Sequence, residues 1–274
     1  MTTTLRPDEP LREHADGTRS RRYLVCVNGR PVGALRLSTH PEYGAAVARL
    51  EELRIEEPDR GRGRGTVAAL AAEEVARGWG CTRIEVTVDQ DAGAALRLAT
   101  AVGYVPRSRQ MAKRPDPGPP RLPAGGAVRP MTEAEYGPWA ARDREGFVRD
   151  LVGRGVPEGQ ARTKADRSHA RLLPDGLATS NTAISVLEQD DDPVGTLWLG
   201  LWPETAFVLG VDVRPEHRRR GHGRTLMALA EAQAAEAGRD RIGLHVFADN
   251  VPAERLYTAL GYVTTAQHLF KELI

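Results

Sequence analysis

Cysteine is nearly missing from this sequence: Cys26 and Cys81 are the only two. Two cysteines at that spacing build no disulfide framework and no metal site, so both read as small buried residues or idle thiols. Charge of one sign is missing too. The net charge is +1, which removes any global drive toward nucleic acid or an anionic membrane surface. No apolar run approaches the roughly 18 residues of a membrane span. The opening MTTTLRPDEPLREHADG has no apolar core of a signal peptide. The expectation is a soluble cytoplasmic protein, monomer or homodimer, that holds no metal. Its 274 residues, 41% of them hydrophobic, suffice for one large domain or two of ordinary size.

What is abundant is glycine and proline in telling places. Residues 114–126, RPDPGPPRLPAGG, hold five prolines and three glycines. Such a stretch neither pairs as a central strand nor runs as a helix, and it reads as an interdomain linker. An internal repeat straddles it. Residues 60–105 align on 218–263 without a gap at an offset of 158, including Arg83-Ile84 on Arg241-Ile242 and Gly103-Tyr104-Val105 on Gly261-Tyr262-Val263. The chain therefore divides into 1–113, a linker at 114–126, and 127–274, as a duplicated fold.

The second half starts with a helix whose Thr132 and Glu135 have capping-box spacing. A second helix, PEGQARTKADRSHARLL, is stopped by PDG. TAISVLE and VGTLWLGL form a hairpin, and AFVLGVDV is a strand that enters a glycine loop. A helix ending at Gly238, the strand RIGLHVFA, a helix ending at Gly261 and a last strand follow. In the first half, YLVCV and PVGALRL make a hairpin around Asn28-Gly29, and AVARLEELRI is the strand before the loop. Only 22 residues precede that hairpin, so the pair of helices expected in the second half is absent from the first.

Both loops read Arg-x-x-Gly-x-Gly between a strand and a helix: Arg60, Gly63 and Gly65, then Arg218, Gly221 and Gly223. Glycines let the backbone turn tightly, and successive amides converge at a helix N-terminus, where negative charge is favoured. A diphosphate suits such a cradle. No Gly-Lys-Ser/Thr follows, so it is not a P-loop. The third glycine of a dinucleotide fingerprint is replaced by Leu226 in one copy and Thr66 in the other. An RNA-binding Arg-Gly tract is the competing reading. Against it stand the flanking apolar strands and alanine-rich helices, and the absence of aromatic interleaving.

VDVRPEHRRRGHGRTLM followed by HVFADNVPAERLYTALGYV resembles the GNAT superfamily of acyl-CoA-dependent N-acyltransferases. The loop pattern is met by Arg218, Gly221 and Gly223, and the later pattern by Asn250, Tyr257, Gly261 and Tyr262. The resemblance implies an α/β (α+β) protein of two tandem modules, each a mixed central sheet flanked by helices, the first one shortened. It implies acetyl-CoA as cofactor, its diphosphate on the amides of Arg219, Arg220, Gly221, His222, Gly223 and Arg224. It also implies that Arg218 buttresses the turn and that the pantetheine arm lies along Val211, Asp212 and Val213. Asn250 contacts that arm in the family, yet Asp-Asn before Val-Pro-Ala is equally a helix N-cap. Tyr257 is an ordinary core tyrosine by its apolar neighbours Ala253, Leu256 and Leu260; the resemblance implies the acid that protonates the leaving thiolate.

The base is not marked. Where family members carry Glu or His on the strand before the loop, this chain has Phe207 and Leu209. Asp212, Glu204 and His245 are the substitutes. In the first half Ala99 and Ala92 stand where Tyr257 and Asn250 stand in the second, although Leu53, Ile55, Arg60, Gly61, Gly63, Gly65 and Thr66 preserve a possible second cofactor site. The resemblance thus implies an N-acetyltransferase for the primary amine of a small molecule, with the second module active. A non-catalytic acetyl-CoA-binding scaffold and a protein-lysine acetyltransferase are the alternatives.

Overall fold

The computed structural model describes residues 2–273. Along the first half run β1 (Thr3–Pro7), β2 (Arg12–Glu13), β3 (Arg19–Val27), β4 (Arg30–His40), β5 (Gly44–Ile55), α1 (Arg64–Gly78), β6 (Arg83–Asp89), α2 (Gly93–Ala101) and β7 (Val105–Lys113). Then come β8 (Gly126–Pro130), α3 (Glu133–Val152), α4 (Glu158–Leu172), β9 (Thr182–Gln189), β10 (Asp192–Leu201) and β11 (Ala206–Val213). The chain finishes with α5 (His222–Glu236), β12 (Ile242–Phe247), α6 (Val251–Ala259) and β13 (Val263–Glu272).

These elements form two compact units that are not the two halves of the sequence. The first takes the residues up to Ser108, Gly155–Lys164, and the residues from Ala266 on. The second takes Arg109–Arg154 and Ala165–Thr265. The repeat and the packing thus cut the chain in different places.

In the first unit the strand order is β1-β3-β4-β5-β6-β13. The β3–β4 hairpin turns at Asn28 and Gly29 with φ of 48° and 83°, the positive pair that a tight hairpin needs. β5 runs parallel to β6 only from Val47–Arg83 to Leu50–Val86. Beyond that point a register shift opposite Leu35 leaves Glu52 at φ 53° and turns β5 away from its neighbour. Among the described residues no helix precedes this sheet; β1 and β2 come first instead. Part of α4 packs here, with Lys164 Nζ 2.7 Å from Glu42 Oε2 and Arg83 donating to the Gly155 carbonyl at 3.2 Å.

The second unit has the order β8-β9-β10-β11-β12-β7. β11 runs parallel to β12 only over Ala206–Val208 and Ile242–Leu244. On its other edge Trp198 faces Gly210 while Leu199 faces Val208, so Leu209 is the extra residue of a bulge. One face of this sheet packs α5 through Leu226, Met227, Leu229 and Ala230. The other packs α3 through Trp139 and Ala140, beneath the capping box in which Thr132 N and Oγ1 donate to Glu135. The proline-rich stretch does not dangle: Asp116 N donates to Glu231 Oε2 at 3.1 Å and Thr225 Oγ1 to the Arg121 carbonyl at 3.4 Å.

Each unit is closed by a strand from the other half of the sequence. Met111 of β7 lies in the second core, and Leu269 and Leu273 lie in the first. A matching lock sits in both. Lys271 Nζ pairs with Glu73 at 2.7 Å beside Tyr104 in the first unit. Lys113 Nζ pairs with Glu231 at 2.7 Å beside Tyr262 in the second. All three pairs of residues obey the 158 offset. Burial, then the nearby glutamate, holds both tyrosines well above the usual phenol range, so both stay protonated.

Candidate active site

The glycine loops take the same shape twice. Arg218 Nε donates to the Val213 carbonyl at 2.9 Å, and Arg60 Nε to the Ile55 carbonyl at 2.8 Å. Each arginine therefore ties its loop back to the last residue of the preceding strand. The chain then turns through positive φ at Arg219 (63°) and Gly221 (91°), and at Gly61 (70°) and Gly63 (72°). Arg219 takes a conformation that costs an ordinary residue about 1–2 kcal/mol, where the first copy uses glycine. Gly223 serves packing: a Cβ there would stand 3.4 Å from Leu256, and on Gly65 it would stand 2.9 Å from Leu98.

The helix N-termini point their amides into these turns. In α5 the first helical bonds are donated by Arg224 and Thr225 to the Gly221 carbonyl, at 2.9 and 3.1 Å. The amides of residues 219–223 come before that first turn and have no carbonyl behind them within the helix. His222, in the first turn of α5, is buried, and neither ring nitrogen finds a partner. Burial, then the neighbouring His217 and Arg220, lowers its pKa, so the ring stays neutral. Its counterpart Arg64 is ion-paired with Asp59, which also holds Arg30 at 3.0 Å.

Beyond Val208, β11 has no partner on the side of β12, and the edge from Gly210 to Val213 is open. Val211 and Val213 pack toward the α5 core, so Asp212 alternates to the opposite face, with Phe207 and Leu209 on that face before the bulge. Asp212 is exposed and stands 3.9 Å from Arg218 Nη2. Glu204 lies exposed in the turn before β11. His245, on β12, meets Phe207 edge to face at 5.1 Å.

Tyr257 lies on α6 with its ring 6.1 Å from that of Tyr262, packed against the α5 side of the sheet. Burial raises its pKa, which keeps the phenol protonated at neutral pH. Asn250 is the cap: its Oδ1 accepts from Ala253 N at 3.3 Å.

The first copy divides these parts differently. Leu53 and Ile55 line the loop end of its strand, and Thr66 lies in the first turn of α1. Glu51 takes the place of Leu209 but is bound to Ser38 Oγ at 2.8 Å and Arg49 at 3.1 Å. Ala99 and Ala92, in the places of Tyr257 and Asn250, carry no polar side-chain atom.

Two residues that sequence reasoning passed over stand at the β11 bulge. Asp143 of α3 and His169 of α4 meet at 3.0 Å, and Asp143 reaches Gly210. Both lay in segments read only as mixed in charge, and nothing in their spacing connects them.

The second copy fits a coenzyme with a diphosphate and an amide-bearing arm. Outward amides at a helix start, arginines at 218–220 and an open strand edge are the donors such a molecule needs. Among the described residues no helix is long and apolar enough to cross a membrane.

The model of the acetyltransferase (GNAT) family matches residues 2–104 and again 154–262. A mycothiol acetyltransferase from Frankia casuarinae is 31% identical over 278 residues, covering 94% of this chain and 76% of that protein. Two solved structures share the fold. A GCN5-related N-acetyltransferase from Sphaerobacter thermophilus superposes with a TM-score of 0.64 at 21% identity, covering 92% of this chain and 80% of its own. A tandem GNAT protein from the clavulanic acid biosynthesis pathway, solved without acetyl-CoA, gives 0.57 at 24%, covering 96% and 85%.

Proposed function

The chain belongs to the GNAT acetyltransferase family, and on that premise we propose that it moves an acetyl group from acetyl-CoA to the primary amine of a small molecule, with the second unit carrying the chemistry. Acetyl-CoA supplies an activated thioester; the residues of the chain hold, orient and move protons around it. The amides of residues 219–223 and the arginines at 218–220 receive the diphosphate; the Arg224 amide, expected among them, is instead taken by the Gly221 carbonyl at 2.9 Å. The open edge at Val211, Asp212 and Val213 would receive the arm by strand addition, and Val213 N would serve as a donor to the thioester's carbonyl oxygen. Asn250 adds a contact to the arm while capping α6. Tyr257 would supply a proton to the coenzyme's sulfur, and Asp212 would take the amine's proton out through water.

One observation carries this reading. Both units keep the cradle, but only the second places a phenol in the helix after it, packed against the α5 side of the sheet beside Tyr262. The first unit, with Ala99 at that place, holds the coenzyme without turning it over. The division into a first module at 1–113, a linker at 114–126 and a catalytic module at 127–274 then describes ancestry, with β7 completing the catalytic sheet. The likeness to a mycothiol acetyltransferase supports a small acceptor over a protein lysine. Thiol release from acetyl-CoA with a panel of primary amines tests the activity: none with any amine, against intact coenzyme binding, would leave the scaffold reading that Phe207 and Leu209 favour.

A further inference from the structure

A primary amine reaches neutral water as an ammonium ion, so the face of β11 that receives it needs an anion. Phe207 and Leu209 supply none. Asp143 does, from another element. A Cβ placed on Gly210 would lie 3.7 Å from Asp143 Oδ1, so the carboxylate stands against the strand at its bulge. The same position lies 3.7 Å from Trp198 Cβ, so the glycine, the carboxylate and the Trp198 side chain meet at the bulge.

His169 stands beside the other oxygen. Its Nε2 is 3.0 Å from Asp143 Oδ2, and its Nδ1 donates to the Ala165 carbonyl at 3.0 Å. A carbonyl only accepts, so Nδ1 carries a hydrogen and Nε2 faces the carboxylate. That approach is close but off the axis of a hydrogen bond, and His169, 8% exposed, has no aligned partner at Nε2. The ring is held by Trp198, 5.5 Å away. Trp198 in turn meets Trp139 edge to face at 5.6 Å. A cavity of about 410 Å³ between α3 and α4 opens beside His169, within the size range of small-molecule sites. The two charged residues on its wall, Arg144 and Asp166, pair with each other at 3.5 Å, so the cavity offers an uncharged body no unpaired charge.

We infer that Asp143 is the anchor for the acceptor's ammonium group, and that the acceptor is a small primary amine on an uncharged body. The inference rests on the acetyl-transfer reading and names the acceptor class for it. No bond changes in the anchoring step: the ammonium donates a hydrogen bond to Asp143 Oδ1 and keeps its protons.

The test uses the full chain and two probes, 2-phenylethylamine and its hydroxyl isostere 2-phenylethanol, titrated by calorimetry at low salt. The wild type should bind the amine at least ten-fold more tightly than the alcohol. Asp143→Asn should shrink that preference below two-fold and leave acetyl-CoA affinity unchanged. Gly210→Ala, whose methyl group would stand 3.7 Å from Asp143 Oδ1, should weaken the amine alone. A role confined to packing would lower both probes together and keep their ratio, which overturns the inference. So would equal affinities in the wild type, no binding of the amine, or a preference that survives Asp143→Asn. Acetyl-CoA titrated in parallel separates the two levels. Coenzyme binding with no ammonium preference sinks the anchor alone, whereas no coenzyme binding and no thiol release with any amine sinks the acetyl-transfer reading as well.

Discussion

Lys271 Nζ lies 2.7 Å from Glu73 Oε2, although 198 positions separate the two residues. Glu73 is only 2% exposed in its side chain. The lysine comes from the last strand of the chain and the glutamate from the first long helix. Lys113 and Glu231 repeat the arrangement with the sequence halves reversed. A buried carboxylate needs such a partner, because its desolvation is otherwise uncompensated.

Lys271→Met should therefore destabilise the protein by about 3–5 kcal/mol, the cost of breaking a buried pair from one side. Urea denaturation measures it. The double variant Lys271→Met, Glu73→Leu should recover most of the loss, since replacing both charges by apolar groups is near neutral.

A fragment of residues 114–274 contains every residue assigned to catalysis and to the second of the two acetyl-CoA cradles. It lacks Met111 and Lys113, which leaves β12 an open edge and Glu231 without its cation. It should aggregate or fail to bind acetyl-CoA, in contrast to the full chain. A soluble fragment with full activity would show that the exchanged strand is dispensable.

Tyr257→Phe removes one hydroxyl and keeps the ring against the core. Turnover should fall by about 10²-fold, the low end of what a positioned acid contributes, with acetyl-CoA affinity within about two-fold because the contacts to the coenzyme are untouched. Steady-state kinetics with the best amine of a panel, beside calorimetry, separates the two.

Gly221 and Gly63 both sit at positive φ. Alanine at either costs about 1–2 kcal/mol in that conformation and distorts the amides around it. Gly221→Ala should raise the KM for acetyl-CoA at least ten-fold. Gly63→Ala should leave kcat unchanged and lower the calorimetric stoichiometry from about two to about one, since each cradle is a separate anion site.

His40 accepts hydrogen bonds from Glu42 N and Tyr43 N at Nδ1, at 3.1 and 3.3 Å, and Glu85 stands 3.7 Å from its Nε2. Burial, with Lys164, Arg49 and Arg107 nearby, lowers its pKa to about 3. The unfolded chain therefore takes up this proton first as pH falls. The stability His40 contributes is present above about pH 6.5 and is lost as pH falls toward about 3. His40→Asn removes this slope: the stability difference between wild type and variant should shift toward the variant by up to about 1.4 kcal/mol per pH unit below pH 6.5. Denaturant melts from pH 7 to pH 4 measure it.

Periodicity and turn chemistry alone determined much of this molecule. Asn28-Gly29 can only be a tight turn, Thr132 and Glu135 satisfy each other's backbone within four residues, and Arg218, Gly221 and Gly223 shape a cradle from a dozen consecutive positions. These are local matters, set by φ preferences and by hydrogen bonds that span a few residues. Both glycine turns were legible for the same reason, whereas the Arg218 tether came only from the family resemblance. Strand exchange was not, because β7 and β13 follow equivalent helices and carry equivalent lysines. A duplicated sequence holds no local signal for which of two equivalent sheets a strand will join. Asp143 and His169 were hidden for a related reason. One stands in a run of mixed charge on α3 and the other in a run of mixed charge on α4. They meet only because Trp139 and Trp198 pack α3 and α4 on the same face of the sheet. Side-chain identity chose the chemistry available to each position, and only the packing of distant elements decided which positions share it.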